Sequence, residues 1–246
     1  MRARHAAPRG RWRCLVHPVC AGLFAVLAAA AAGAGPARAT TLAALSNHEA
    51  AQGLKQALGR GIDAAVAKLG VANGFLDDPR VRIPLPPALA RADRLLRLVG
   101  LGRQSDALVA AMNHAAEAAV PEGKAVLEQA LRQMTIADAK QILTGGDDAG
   151  TQYFRRVAYD RLERRFEPVV AQQTRRVGLA QQYDALAAKG AALGLMQPGD
   201  ASIEAYVTRK ALDGLFLKMA DEERSIRRDP LGQASSLLRK VFGAVR

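Results

Sequence analysis

The chain has 246 residues, with 35 lysines and arginines against 23 acids, a formal charge of +12, and half of its residues are hydrophobic. That charge is no nucleic-acid signature, because residues 1–39 hold six arginines and no acids and leave a balance of only +6 for the remainder. Cys14, Cys20 and Trp12 all fall in that first segment. The remainder is therefore excluded from disulfide frameworks and thiolate metal sites, and has little with which to stack on bases.

The first segment has a recognisable order. Arg2, Arg4, Arg9, Arg11 and Arg13 precede an apolar run from Val19 to Ala34, and Ala37-Arg38-Ala39 follows as a small-x-small exit. A basic head, a short greasy middle and a small-residue exit predict a secretory signal cleaved near Ala39, and hence a periplasmic protein of residues 40–246. Retention as a membrane anchor is the alternative, but the run is short for a span of about 20 residues. What remains is long enough for one domain with its own core.

From there the chain is expected to be almost entirely helical, being rich in Ala, Leu, Arg, Gln and Glu without strict alternation. Ser46-Asn47-His48-Glu49 is a capping box opening a helix to Leu69. Gly53, Gly59 and Gly61 within it predict close approach by a neighbouring helix. Asn73-Gly74, Asp77-Asp78-Pro79 and the prolines up to Pro87 break the pattern. There Val81, Ile83 and Leu85 alternate with Arg82 and Pro84, predicting a strap with one apolar edge inward, or else a short β-ribbon. Helices follow over 87–99, 105–119, 121–134 (with Pro121 in its first turn) and 136–143 (capped by Thr135 and Asp138). Asp147-Asp148 is expected to open the next, with Phe154, Ala158, Leu162 and Phe166 as an i, i+4 ladder. Pro168 is expected to kink or restart it before Val177. A weaker helix covers 180–189. The strongest runs over 202–228 with a wide apolar stripe from Ile203 to Ile226, which marks a central helix, and a short amphipathic helix ends the chain. The fold class is thus all-α, a single-domain bundle of eight to ten helices around a central C-terminal helix.

Chemistry has few footholds. His48 and His114 are the only histidines beyond residue 39, so a metal site would need mostly carboxylates. No cofactor is expected. No serine lies in a nucleophile elbow. Thr144-Gly145-Gly146-Asp147-Asp148 has glycines ahead of a helix N-terminus, as phosphate cradles do, but two aspartates repel an anion. A tight corner capped by Gly on one side and Asp on the other is the simpler account. Asn113 and Glu117, one turn apart on a helix that is otherwise mostly alanine, form either a cleft floor with Glu117 as acid or base, or the wet side of an amphipathic helix. Asp213 interrupts the central stripe, either as a functional carboxylate or as the partner of Arg209 or Lys210. Arg155, Arg156, Arg164 and Arg165 head a crowd of arginines between 155 and 176. These form a docking surface for anionic head groups or another envelope partner, or a solvated face laced with pairs such as Asp160–Arg164.

Several blocks carry a resemblance. They are Leu45-Ser46-Asn47, Ile83-Pro84-Leu85-Pro86, Met112-Asn113 through Glu117 to Val120-Pro121, Gly145-Gly146-Asp147-Asp148 with Thr151-Gln152-Tyr153-Phe154, and Tyr206-Val207 with Lys210 to Phe216. Through these the chain resembles the bacterial family called domain of unknown function 4197, over residues 45–243. The resemblance implies an exported, mostly helical envelope protein and carries over no functional residues. Gly150 stands where the family pattern has alanine.

Two functions are therefore expected to compete. One is a non-catalytic binding or scaffolding module of the envelope, with an anionic component or another envelope protein as partner and no nucleic acid. The other is a hydrolase-like enzyme using Glu117, Asp147, Asp148 and Asp213, which requires those acids to meet.

Overall fold

The computed structural model describes residues 47–98, 100, 102–176, 178, 181, 183, 185, 202–229 and 241. The expected signal segment, the Ser46 cap, most of the expected 180–189 helix and, Val241 apart, the last helix lie outside them. Among the described residues the fold is all-helical: α1 (Asn47–Leu69), α2 (Pro87–Leu98), α3 (Gly102–Gln133), α4 (Ile136–Leu143), α5 (Ala149–Arg176) and α6 (Ile203–Arg228). None of these is long and apolar enough to cross a membrane.

The apolar periodicities dictate the packing. Leu54, Leu58, Ile62 and Leu69 bury one face of α1, and Phe154, Ala158, Leu162 and Phe166 form the expected ladder inside α5. Ile203, Val207, Ala211, Leu215, Met219 and Ile226 line the inner face of α6, which packs on α1, α3 and α5. α3 shares the centre, touching α1, α2, α5 and α6. Phe75, Phe154, Phe166 and Phe216 are fully buried. Each such side chain contributes about 2–3 kcal/mol by leaving water, which matters in a chain with no cysteine beyond residue 20. The Thr135–Asp138 capping box forms on α4, and Ser202 caps α6.

One boundary differs from the sequence expectation. Pro121 does not separate two helices; α3 runs through it as 32 residues, and α5 likewise runs through Pro168. Both prolines lie at exposed positions, and each leaves the carbonyl four residues back, of Glu117 and of Arg164, without its helical N–H partner. The apolar residues on either side keep one continuous face buried, and that outweighs the lost bond.

The segment between α1 and α2 is the irregular part. Asn73 adopts a left-handed conformation, φ 63°, which asparagine tolerates better than most residues. Val81, Ile83 and Leu85 point inward while Arg82 and Pro84 stay exposed, the strap predicted from their alternation, and no strand forms there. The strap is tied to α6 at its edges. Lys218 pairs with Asp78 and holds its carboxyl below the usual carboxylate range. Arg80 Nη1 lies 2.7 Å from Asp221 Oδ2. Burial pushes Asp221 upward, but Arg80 and Arg224 together outweigh it and leave that carboxyl below its ordinary value.

Gly214 lets the irregular segment approach α6, since a Cβ there would come within 2.6 Å of Phe75 Cε1. Gly214→Ala is therefore expected to lose about 1–3 kcal/mol of stability by overpacking. At Gly59 a Cβ would meet only Leu131 Cδ2, at 3.5 Å, so Gly59→Ala is expected to gain up to about 1 kcal/mol in helix propensity. Urea unfolding checks the pair; shifts of the same sign would contradict the close approach at Phe75.

Candidate functional site

Asn113 and Glu117 are not on a wet face. Asn113 is fully buried and Glu117 is 5% exposed, because α3 is covered on that side by the strap. Asn113 Oδ1 accepts from the Ile83 N–H at 2.8 Å, and its Nδ2 donates to the carbonyls of Ile83 (2.9 Å) and Val109 (2.7 Å). The side chain thus serves both backbone groups of one extended residue, as a neighbouring strand would. One turn on, Glu117 Oε1 accepts from the N–H groups of Phe75 (3.0 Å) and Leu76 (3.2 Å). Its Oε2 accepts from Asn73 N–H at 3.1 Å and lies 2.8 Å from His114 Nδ1. Three backbone donors and an imidazole occupy the carboxylate, which leaves it little capacity to act as a general base.

The α4–α5 corner is organised by a residue that the sequence reading did not single out. Asp147 and Asp148 do not supply the cap for the first amides of α5. Asp147 is exposed, and Asp148 Oδ2 takes the side chain of Gln152 at 3.3 Å and sits 4.0 Å from Arg224. Glu223 of α6 does the capping instead, accepting from the N–H groups of Gly150 (2.9 Å) and Thr151 (2.8 Å) and from the Thr151 hydroxyl (3.0 Å). Arg227 Nη2 closes the arrangement, donating to Glu223 Oε1 at 2.9 Å and to the Ile142 carbonyl at 2.9 Å. A carboxylate on the positive end of a helix is favourable, and here it fills the place a bound phosphate would need. The available signal was Glu223 falling on the apolar stripe between Met219 and Ile226.

Gly150 is explained by the same contact. A Cβ would come within 2.5 Å of Leu58 Cδ2 and 3.2 Å of both Glu223 carboxylate oxygens, so an alanine would not fit here without movement. The cavity beside Glu223, bounded by Leu58, Gly61 and Met219 among others, holds about 10 Å³, room for about one water.

Asp213 is exposed on α6 and pairs across to α5 with Arg155 Nη1 at 3.5 Å, rather than with Arg209 or Lys210 on its own helix. Arg155 also lies over the Phe216 ring, 4.8 Å from its centroid. Arg165 Nε reaches Glu122 at 3.0 Å. Arg156 lies 5.8 Å from the Tyr153 ring centroid, and the expected Asp160–Arg164 pair does not form. Asn113, Glu117, Asp148 and Asp213 thus have separate partners, Asp147 is exposed, and no hydrogen bond or ion pair joins any of the five to another. Among the described residues no group of three His, Cys, Asp or Glu side chains is placed to hold a metal ion.

The fold and these placements define an all-helical domain whose buried acids hold backbone. The chain belongs to the family described as protein of unknown function (DUF4197), whose model matches residues 44–243. No curated protein and no solved structure matches it.

If Glu117 holds the turn, Glu117→Ala is expected to cost about 3 kcal/mol, since charge-assisted bonds to buried donors are lost. Half-exposed His114 changed to alanine should cost less than about 1 kcal/mol. Denaturant midpoints separate the two; an unchanged midpoint for Glu117→Ala would remove its structural role.

Proposed function

We propose that the protein is an exported, non-catalytic binding module of the bacterial envelope that docks on anionic lipid head groups through α5. The basic head, apolar run and Ala-x-Ala exit of residues 1–39 support export to the periplasm, and the family match begins beyond that exit. The separation of the acidic candidates from one another favours binding over acid–base chemistry.

The observation that carries the reading is the charge pattern of α5. Seven arginines face three acids along this helix. The i, i+4 row Arg156-Asp160-Arg164-Pro168-Gln172-Arg176 and its neighbour Val157-Arg161-Arg165 hold five of those arginines and one acid. Arg156, Arg164 and Arg176 are exposed and form no ion pair among the described residues. Val157 is 38% exposed beside them, and Ile136 at the start of α4 is 46% exposed. Cations flanking isolated apolar side chains suit a head-group surface, where each contributes about 1 kcal/mol.

Co-sedimentation with phosphatidylglycerol vesicles tests this. The protein is expected to bind them in a salt-sensitive manner and to ignore phosphatidylcholine vesicles. The triple change Arg156→Gln, Arg161→Gln, Arg164→Gln should weaken binding about a hundredfold, given about 1 kcal/mol per arginine. Equal binding to both vesicle types, or none to either, would overturn the proposal.

A further inference from the structure

Asn73-Gly74 turns the chain just beyond α1, and the turn dictates both residue types. Asn73 holds φ 63°, a region in which asparagine is enriched over most other side chains. At Gly74 a Cβ would come within 2.6 Å of the Lys68 carbonyl oxygen and 2.7 Å of that of Leu69, so only glycine fits. The geometry that closes the turn thereby places the least hindered backbone nitrogen directly after an asparagine.

The backbone here is held while the side chain is not. Glu117 Oε2 accepts from the Asn73 N–H at 3.1 Å, the Asn73 carbonyl accepts from the Asp77 N–H at 3.1 Å, and the Gly74 N–H donates to the Val71 carbonyl at 3.0 Å. Glu117 Oε1 holds the next two N–H groups, those of Phe75 and Leu76. Asn73 itself is exposed, and its carboxamide makes no hydrogen bond among the described residues.

We propose that Asn73-Gly74 is a self-modification site, a succinimide-forming bond that the native turn keeps closed and that reacts when Glu117 releases the backbone. In the step, the Gly74 nitrogen loses its proton to solvent and attacks the Asn73 carboxamide carbon. The new N–C bond forms, the bond to the NH2 group breaks, and the NH2 leaves with a proton as ammonia. Water then opens the cyclic imide at either carbonyl, giving aspartate or isoaspartate at position 73. The proton that must leave is the one bonded to the Val71 carbonyl, so the reaction waits on local opening, as amide exchange does.

Both products loosen the tie they come from. Aspartate brings a second negative charge beside Glu117, and like charges in one site repel. Isoaspartate adds a carbon atom to the main chain between the N–H groups of residues 73 and 75, which Glu117 grips with its two oxygens. Once ammonia has left, the carboxamide does not re-form, so the change accumulates and leaves the irregular segment less firmly held. The site uses no residue of α5 and is independent of the lipid-docking reading.

Tryptic mapping of the purified full chain, incubated at mildly alkaline pH, reads the reaction in the fragment of residues 69–80, whose only side-chain amide is Asn73. Replacing NH2 by OH raises the fragment's mass, and isoaspartate separates from aspartate on chromatography. In unfolding concentrations of urea the fragment is expected to convert at least about tenfold faster than in native buffer, the ratio being set by the opening equilibrium of the turn. Folded Glu117→Gln protein, with fewer acceptor sites for the same donors, should convert several-fold faster than the unaltered chain in native buffer. If that variant does not fold, the comparison of buffer with urea on the unaltered chain still decides. Equal rates in buffer and urea, no conversion in urea, or a folded Glu117→Gln protein as slow as the unaltered chain would each overturn the proposal.

Discussion

A helix satisfies its own backbone everywhere except at its ends, so a bundle must find partners for the N–H groups exposed where the chain turns inside it. In this protein three side chains on the two central helices meet that requirement. Asn113 serves Ile83, Glu117 serves Asn73, Phe75 and Leu76, and Glu223 serves Gly150 and Thr151. Burying a carboxylate is costly by itself. Two or three converging N–H groups offset the cost and leave each acid tied to one backbone geometry.

The rest of the architecture follows from those ties. With Ile83 bound to Asn113 and Phe75 seated against Gly214, the strap lies across α3. With Glu223 on its first amides and the Phe154–Phe166 ladder buried, α5 has its rotation set, which turns the Arg156 row to solvent. The arginine surface proposed to bind head groups is a consequence of where the buried polar groups sit.

Much of the fold was legible because apolar spacing is a local signal. The α5 ladder, the α6 stripe, the Thr135 cap and the inward edge of Val81, Ile83 and Leu85 could all be found from residues within a turn or two of each other. The continuity of α3 through Pro121 was not, because tertiary burial of Met112, Ala116, Val120 and Leu127 overrides a local rule. The sites were harder still. Asn113 and Glu117 drew notice as polar residues among alanines, but spacing alone cannot distinguish a solvent-facing stripe from one covered by a distant segment. Glu223 carries no local mark of its capping role, which spacing assigns to Asp147 and Asp148, since its partners lie 72 and 73 residues away.

Amide hydrogen exchange tests the central claim most directly. If side chains from α3 and α6 hold the turning backbone, the amides of Phe75, Ile83, Gly150 and Thr151 should exchange only with global unfolding, as slowly as those inside α3. Replacing Glu223 with glutamine should accelerate Gly150 and Thr151 while leaving Ile83 protected. Rapid exchange of these four amides in the unaltered protein, at the rate of exposed loop positions such as Gly146, would contradict the account.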